Sequence, residues 1–253
     1  MSREADLPSA AARRKTAAAR KKPNGAGRGT PPRAQSGETD ALSLTDRAYK
    51  RLEEMIVTLQ LAPGEVVSEA ALSKRLGIGR TPIREALQRL GRERLVVILP
   101  RRGIMVSEVN VRTQLRLLEV RREVERLIAR RAARRATPAE RAEFARIAGE
   151  MEAAAVANDD IGFMRLDHEF NVLSLQAARN EFASGAMALM AGLSRRFWYI
   201  HYKEVADLPR AARLHAEIAR AIAAGKEAEA AQASDRLMDY VEEFARATVS
   251  DDP

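Results

Sequence analysis

The feature that most limits the fold is the one stretch with the pattern of β-strands, LVVILPRRGIMV. In it, residues 95–99 and 104–106 are rich in Val, Ile and Leu and flank a Pro-Arg-Arg-Gly turn, which predicts a β-hairpin with a basic tip. From Leu44 onward, the other apolar residues recur at helical spacing. The sequence therefore predicts a mainly helical protein that contains one hairpin.

Three short helices are predicted before the hairpin. The first is marked by apolar residues about one helical turn apart, namely Ala48, Leu52, Ile56 and Leu59. It stops at a Pro-Gly turn, after which Ser68 can cap the second helix and Gly77 ends it. The third begins near Gly79 and buries an apolar stripe made of Ile83, Ala86, Leu87 and Leu90. Three helices followed by a hairpin are the elements of a winged helix-turn-helix, in that order.

Two arginines at the start of the third helix are candidate DNA contacts. Arg80 and Arg84 are four residues apart, so they share a helix face opposite the buried stripe. The first turn of such a helix enters the major groove, where a guanidinium matches guanine O6 and N7 or a phosphate. Thr81 and the free N–H groups of this turn can hold phosphates. The alternative is that both arginines are solvated surface charges or pair with Glu85 and nearby acids.

The tip of the hairpin supplies further basic groups. Arg101 or Arg102, beside Gly103, can reach the minor groove or the DNA backbone. The candidate DNA contacts are therefore Arg80, Thr81, Arg84, Arg101, Arg102 and Gly103.

The net charge of +8 is unevenly distributed, with +5 in residues 1–40, +4 in residues 41–110 and −1 in residues 111–253. A basic front half suits a polyanion partner, because neutralising phosphates releases condensed counterions. Residues 1–40 are rich in Pro, Gly, Ser and Arg and lack apolar periodicity, which indicates a disordered basic tail. The winged domain is then assigned to residues 41–108 and a second domain to residues 111–250.

The second domain is predicted to be an all-helical bundle of six helices. A stripe in its first helix consists of Leu117, Val120, Val124 and Leu127. Thr137 and Glu140, with proline between them, form a capping box that opens the second helix. Charged residues make up 31% and aromatic residues 4% of the chain, a composition that favours helices.

Several classes of protein are excluded by what the sequence lacks. The chain has no cysteine, no apolar run approaching about 18 residues and no signal-peptide pattern, which predicts a cytoplasmic, nucleoid-associated protein without a membrane segment. It has neither a Gly-rich phosphate loop nor a nucleophile motif. Asp167, His168 and Glu169 are consecutive and point about 100° apart on a helix, so they cannot converge on one substrate. An enzyme is therefore not expected.

Residues 63–106, PGEVVSEAALSKRLGIGRTPIREALQRLGRERLVVILPRRGIMV, resemble the DNA-binding domain of the GntR family of bacterial transcription regulators. The segment RTPIREAL is the most specific part of the resemblance. The resemblance implies that Arg80, Arg84 and residues at the hairpin glycine contact operator DNA. Gly79 stands where the family usually has Ser or Thr, which removes a hydroxyl that would touch phosphate.

Residues 117–140, 163–180 and 215–231 resemble the FCD domain of the FadR subgroup, a helical bundle around an effector cavity. Many FCD domains bind a divalent metal through an aspartate and three histidines. The first three ligand positions match Asp167, Asn171 and His215, and the final histidine is replaced, with Leu237 or Tyr240 in its neighbourhood. Asp167 and His215 are good zinc ligands, but an asparagine in place of a histidine makes a poor site. Zinc binding is thus an alternative, and no cofactor is required.

Without a metal, an anionic effector needs an arginine. The resemblance places Arg121 toward the cavity, where Glu125 can orient it. Arg195 and Arg196 flank an aromatic cluster that lines the pocket or serves as core packing. The candidate effector ligands are Arg121, Asp167, Asn171, His215, Arg195 and Tyr240.

Together these patterns predict a ligand-responsive transcription regulator. It is expected to be a homodimer that binds a palindromic operator in double-stranded DNA and, as a repressor, is released by a small organic-acid-type metabolite. One alternative is a sequence-non-specific architectural DNA-binding protein, and another is a metal-responsive regulator without an organic effector. Preference for one palindromic operator over random DNA distinguishes the first alternative from a regulator.

Overall fold

The computed structural model describes residues 42–248, and the predicted basic tail, residues 1–40, lies outside them. The first part of the described chain is a winged helix-turn-helix. Its elements are α1 (Leu44–Val57), β1 (Val66–Val67), α2 (Glu69–Leu76), α3 (Arg80–Arg92), β2 (Val96–Leu99) and β3 (Gly103–Val106). Six helices follow, namely α4 (Val111–Arg135), α5 (Pro138–Ala157), α6 (Asp160–Ala178), α7 (Glu181–Val205), α8 (Leu208–Ala223) and α9 (Glu227–Ala247). The predicted fold class is confirmed.

The caps of α2 form as predicted. The Ser68 hydroxyl accepts a hydrogen bond from the Ala71 N–H, and Gly77 ends the helix with a left-handed φ of 64°. The apolar stripe of α3 is buried with residues of α1 and α2 in one core, in which the fully buried side chains include Leu52, Ile56, Leu72, Ile83 and Leu90. This core holds α3 so that its opposite face is exposed.

A third strand, β1, was not predicted. It pairs with β3 in antiparallel register, Val66 opposite Met105, so that the sheet order is β1-β3-β2. Two residues are too few to show a strand period in the sequence. Gly103 has a φ of 110°, and a β-carbon there would lie 2.7 Å from the Val67 carbonyl oxygen. The close approach of β1 therefore requires glycine at this position.

The prediction that Leu59 belongs to the apolar face of α1 is wrong. The helix ends at Val57, and Leu59 has a φ of 62° and is 38% exposed. The chain makes a turn here, and Leu61, 2% exposed, enters the core instead.

The bundle has the six predicted helices. The capping box of α5 is present, because the Thr137 N–H donates to Glu140 and the Glu140 N–H donates to the Thr137 hydroxyl. Phe144, Ile147 and Met151 of α5 are fully buried in a core that alanines of α4, α8 and α9 complete. Small side chains at these positions allow the helices to pack closely.

The stripe predicted to be the buried face of α4 is only partly covered. Val120 is 57% exposed, whereas Leu118 and Ile128 are buried. The reason is that α4 packs against α6, α7, α8 and α9, so its buried side chains do not form one stripe. Within residues 42–248, no helix combines the length and the apolar character needed to cross a lipid bilayer.

Candidate DNA-binding surface and effector site

The first turn of α3 is exposed and has free backbone donors. Gly79 is the N-cap and has no side chain to bond the first-turn N–H groups. Arg80, Thr81 and Arg84 lie on the exposed side, while Ile83 is fully buried. Burial of one face thus presents the opposite face, with two guanidinium groups and unpaired N–H groups, to solvent.

The guanidinium of Arg84 is bound by a carboxylate of α2. Its Nε donates to both carboxylate oxygens of Glu69, at 3.0 and 3.2 Å, and its Nη2 donates to Oε2 at 2.8 Å. The hydrogen bond from Arg84 is the main reason that the pKa of Glu69 lies below its ordinary value, and the charge of Arg80 contributes. The suspected partner Glu85 instead accepts a hydrogen bond from the Thr45 hydroxyl at 2.6 Å.

The tip of the β2-β3 hairpin carries two exposed arginines. Arg101 has a φ of 63°, and the Arg102 N–H donates to the Leu99 carbonyl at 3.1 Å, which closes the turn. Gly103 allows β3 to approach β1, so its role within the described chain is to shape the tip. Both arginine side chains point into solvent, where they can meet a phosphate.

Three of the predicted effector ligands are joined by hydrogen bonds between α6 and α8. Asp167 of α6 lies 3.0 Å from His215 Nε2 of α8, and Asn171 Nδ2 donates to the same Asp167 oxygen at 3.0 Å. The side chain of His215 is 13% exposed and that of Asp167 is 36% exposed. The spacing of four residues on α6 therefore lets the Asn171 amide bond the same carboxylate oxygen that contacts His215.

Polar and aromatic contacts fix the ring of His215. Nδ1 lies 2.8 Å from the Ala211 carbonyl, and the rings of Phe163 and Phe170 meet it edge to face with centroids at 5.5 and 5.7 Å. Both ring nitrogens therefore face acceptors, an arrangement that the doubly protonated imidazolium satisfies fully. Burial opposes both charges, but the contact between the two side chains, together with their other polar neighbours, outweighs it, so the pKa of His215 is raised and that of Asp167 is lowered.

Arg121 of α4 completes the cluster. Its Nε donates to Glu125 at 2.6 Å, and the two side chains are 19% and 14% exposed. The positive charge of Arg121 helps to lower the pKa of Asp167, and the negative charge of Glu125 helps to raise the pKa of His215. We name Arg121, Glu125, Asp167, Asn171 and His215 the polar cluster.

The pair of His215 and Asp167 is expected to stabilise the fold most in mildly acidic solution. The contribution of His215 is complete below its unfolded pKa of about 6.5 and is lost as pH rises through the raised folded value. That of Asp167 is complete above about pH 3.9 and is lost as pH falls through its lowered folded value. His215→Gln should therefore reduce the free energy of unfolding by about 1–2 kcal/mol more at pH 5.5 than at pH 9.

Urea denaturation in the presence of EDTA measures this difference. His168→Gln is the matched control, since His168 is exposed on the same helix as Asp167. An equal loss at both pH values in the His215 variant would contradict the ion pair.

The side chains present do not form a metal site. Within residues 42–248, no group of three or more His, Asp and Glu side chains is arranged to hold a metal ion. Asp167 and His215 contact each other, and Asn171 directs its amide nitrogen at the same carboxylate. A zinc site requires three or four such ligands, so the donor set does not fit zinc.

The structure does not place two of the predicted effector ligands in the polar cluster. Arg195 pairs with Glu53 of α1 at 2.7 Å and is 52% exposed. Tyr240, 4% exposed, lies in the bundle core and donates its hydroxyl to the Asp207 carbonyl at 3.0 Å. Arg195 therefore joins α7 to the winged domain, and Tyr240 satisfies a carbonyl at the start of α8.

Arg196 is the residue whose role the sequence did not indicate. It is 2% exposed and donates to the Ser107 carbonyl at 2.9 Å, the Ser107 hydroxyl at 3.0 Å and the Glu108 carbonyl at 3.3 Å. Burial lowers the pKa of this arginine. Ser107 directly follows β3, so Arg196 attaches the bundle helix α7 to the end of the wing. Beside it, a β-carbon at Gly192 would lie 2.6 Å from the Leu95 side chain.

Comparison with known proteins assigns a family description to each part. Residues 44–106 match the family model described as bacterial regulatory proteins, gntR family, and residues 116–240 match the FCD domain. The HTH-type transcriptional repressor RspR of Escherichia coli strain K12 is 26% identical over 179 residues, which cover 71% of this chain and 78% of that protein.

Another relative is an uncharacterized HTH-type transcriptional regulator in the TAR-I ttuE-ttuC' intergenic region of Agrobacterium vitis. It is 32% identical over 127 residues, which cover 49% of this chain and 74% of that protein. Among solved structures, E. coli McbR/YncC has the same fold, with a TM-score of 0.70 and 19% identity over 83% of this chain and 100% of that one. These relatives are transcription regulators or carry their fold, which agrees with the expectation that the protein is not an enzyme.

Proposed function

Because the chain belongs to the GntR family of bacterial transcription regulators and carries an FCD domain, we propose that it represses transcription as a homodimer until a small organic acid binds to the bundle. DNA binding and transcription control follow from the family. We propose in addition the repressor mode, the dimer, the palindromic operator and the effector class. The domain boundaries, residues 41–108 and 111–250, are also part of this proposal.

The observation that best supports operator recognition is the exposed first turn of α3. Arg80, Thr81 and Arg84 face away from the core, and the two arginines of the wing tip are also exposed. In a dimer, the two copies of α3 would enter successive major grooves about 34 Å apart, so the operator would have two-fold symmetry.

Exposed apolar side chains on α4 and α7 support the dimer. Val120 is 57% exposed on α4, and Phe182 and Leu189, seven residues apart on one side of α7, are 81% and 51% exposed. The two helices pack against each other. We propose that a second copy covers this α4-α7 face, because monomeric proteins rarely leave such a patch uncovered.

Leu189→Glu is expected to weaken the dimer at least about tenfold, since it places a charge in an apolar contact. Sedimentation velocity over a range of concentrations measures the dissociation constant. Val156→Glu is the matched control, because Val156 is 91% exposed on α5, outside the α4-α7 face. If the Leu189 variant dimerises with the wild-type dissociation constant, the interface lies elsewhere on the protein.

The polar cluster supports an acidic effector. Its guanidinium, Arg121, is half-buried and held by one carboxylate, Glu125. We propose that the carboxylate of the effector replaces Glu125 on Arg121 and shifts the helices around it. Helix α7 contacts both α4 and α1, so a shift in the bundle would alter how the winged domains are held. By linkage, operator binding must change effector affinity by the same factor.

A thermal-shift screen of small organic acids tests this proposal. An acid present at about a hundred times its dissociation constant should raise the free energy of unfolding by about 2.7 kcal/mol and release the operator. Arg121→Ala should abolish both effects and leave operator binding without the acid unchanged. Arg122→Ala is the matched control, because Arg122 is equally buried but pairs with Asp239 of α9. If the acid stabilises the Arg121 variant and releases its operator as in the wild type, the effector binds elsewhere.

A further inference from the structure

The carboxylate of Glu69 occupies only one edge of the Arg84 guanidinium. It accepts hydrogen bonds from Nε and Nη2, which form the side edge of the planar group. The outer edge consists of Nη1 and the second N–H of Nη2, and no other hydrogen bond to this guanidinium is found within residues 42–248. The side chain of Arg84 remains 60% exposed. Arg84 is thus held by one edge and presents the other to solvent.

The outer edge has the geometry that base recognition needs. Two parallel N–H groups of an arginine match O6 and N7 of guanine in the major groove, or two oxygens of a phosphate. An arginine that is not held loses much side-chain freedom when it makes such a contact. In this chain, the pair with Glu69 removes part of that freedom before DNA arrives.

Glu69 is itself held firmly by the fold. It is the first residue of α2, directly after the Ser68 cap, where the helix dipole favours a negative charge. Three residues further on, Leu72 is 2% exposed in the core that joins α2 and α3. The Glu69 side chain is 29% exposed. The carboxylate therefore has a defined position relative to α3.

The charge of Glu69 has a second effect, on DNA of any sequence. A carboxylate beside the phosphate backbone repels it, and the electrostatic part of DNA binding does not depend on sequence. The same group should therefore weaken non-specific binding while it improves the fit of Arg84 to one base.

We propose that Glu69 is a positioning residue for base recognition: it holds Arg84 with its outer edge toward the major groove and raises the ratio of operator affinity to random-DNA affinity. The inference rests on the proposed contact between Arg84 and the operator. It differs from a purely structural role, in which Glu69 joins α2 to α3 and does not alter the choice of sequence.

The test compares dissociation constants for two probes, the operator that the protein selects from random duplexes and a scrambled duplex of equal length. For Glu69→Gln, the affinity ratio is expected to fall about tenfold, with tighter binding to the scrambled duplex. Glu85→Gln removes the same charge from α3 but does not touch Arg84, so it should change both constants by the same factor and leave the ratio unchanged. Circular dichroism checks that each variant keeps the wild-type helical content.

Glu69→Asp provides a variant that keeps the charge but withdraws the carboxylate by one methylene. It should lower the ratio without tightening binding to the scrambled duplex. Either Glu69 variant, folded and with a ratio within about twofold of wild type, overturns the inference.

The Arg84→Ala background separates this inference from the proposed function. If Glu69 acts through Arg84, Glu69→Gln has no further effect on the ratio in that background. If Arg84→Ala alone leaves the operator affinity unchanged, the proposed DNA contact fails as well. If Arg84→Ala weakens operator binding but Glu69→Gln keeps the ratio, only the positioning role fails.

Discussion

Replacing both Arg80 and Arg84 with alanine is expected to weaken operator binding by roughly a hundredfold or more. A bidentate arginine contact to a base contributes about 1–3 kcal/mol, and tenfold in affinity corresponds to about 1.4 kcal/mol, so the loss of two contacts reaches this range. The change also leaves the Glu69 carboxylate without its partner beside the DNA. The fold should persist, because both side chains are exposed.

The matched control for this variant removes two arginines of the same domain from outside the first turn of α3. Arg51 of α1 and Arg92 at the end of α3 are both exposed. Replacing both with alanine lowers the net charge by the same amount as the Arg80 and Arg84 replacement. It should weaken the binding of operator and of random DNA by similar factors, both smaller than a hundredfold. Fluorescence anisotropy at a fixed salt concentration measures the dissociation constants of both double variants for the operator and for random DNA. Equal losses in the two double variants would show that charge, and not the position of Arg80 and Arg84, determines binding.

Arg196→Ala is expected to lower the free energy of unfolding by about 3–5 kcal/mol. The side chain is 2% exposed, and its removal leaves a cavity together with the carbonyls of Ser107 and Glu108 that lose their donor. The same bonds join α7 to the end of the wing. The variant should therefore also weaken the coupling between effector binding and operator release.

Urea denaturation measures the stability of this variant, and Arg195→Ala is its control. Arg195 is the neighbouring residue, but its pair with Glu53 is half-exposed, so its loss should cost at most about 1 kcal/mol. A loss from Arg196→Ala that is no larger than that of the control would mean that water replaces the guanidinium at no cost.

The fold was largely predictable because local signals and core packing agree. The caps at Ser68 and Gly77, the capping box at Thr137 and the stripe of α3 each act within a few residues, and all appear in the structure. The strand β1 was missed because its two residues are ordered by pairing with β3, a partner distant in the sequence. Helix ends depend similarly on what the next segment packs against, as the exposed Leu59 shows.

The candidate sites were predictable only where a motif determines the position of a side chain. Asp167 and Asn171 share a helix face by their spacing, and the structure brings His215 to them. Arg195 and Arg196 are adjacent, however, and point about 100° apart on α7. Only the packing of α7 on the winged domain decides which one is exposed and which one is buried. The partnership of Glu69 and Arg84 joins two helices, and nothing in the spacing of the sequence indicates it.

The hydrogen bonds from Arg196 to Ser107 and Glu108 should be equally stable in acidic solution, in neutral solution and at high salt concentration. Its acceptors are two peptide carbonyls and a hydroxyl, none of which titrates between pH 4 and 9, and the guanidinium keeps its proton throughout. Dissolved ions scarcely screen contacts from which solvent is excluded. A rise in salt concentration would then weaken the contacts of the protein with DNA phosphates, while the connection between the winged domain and the bundle stays intact.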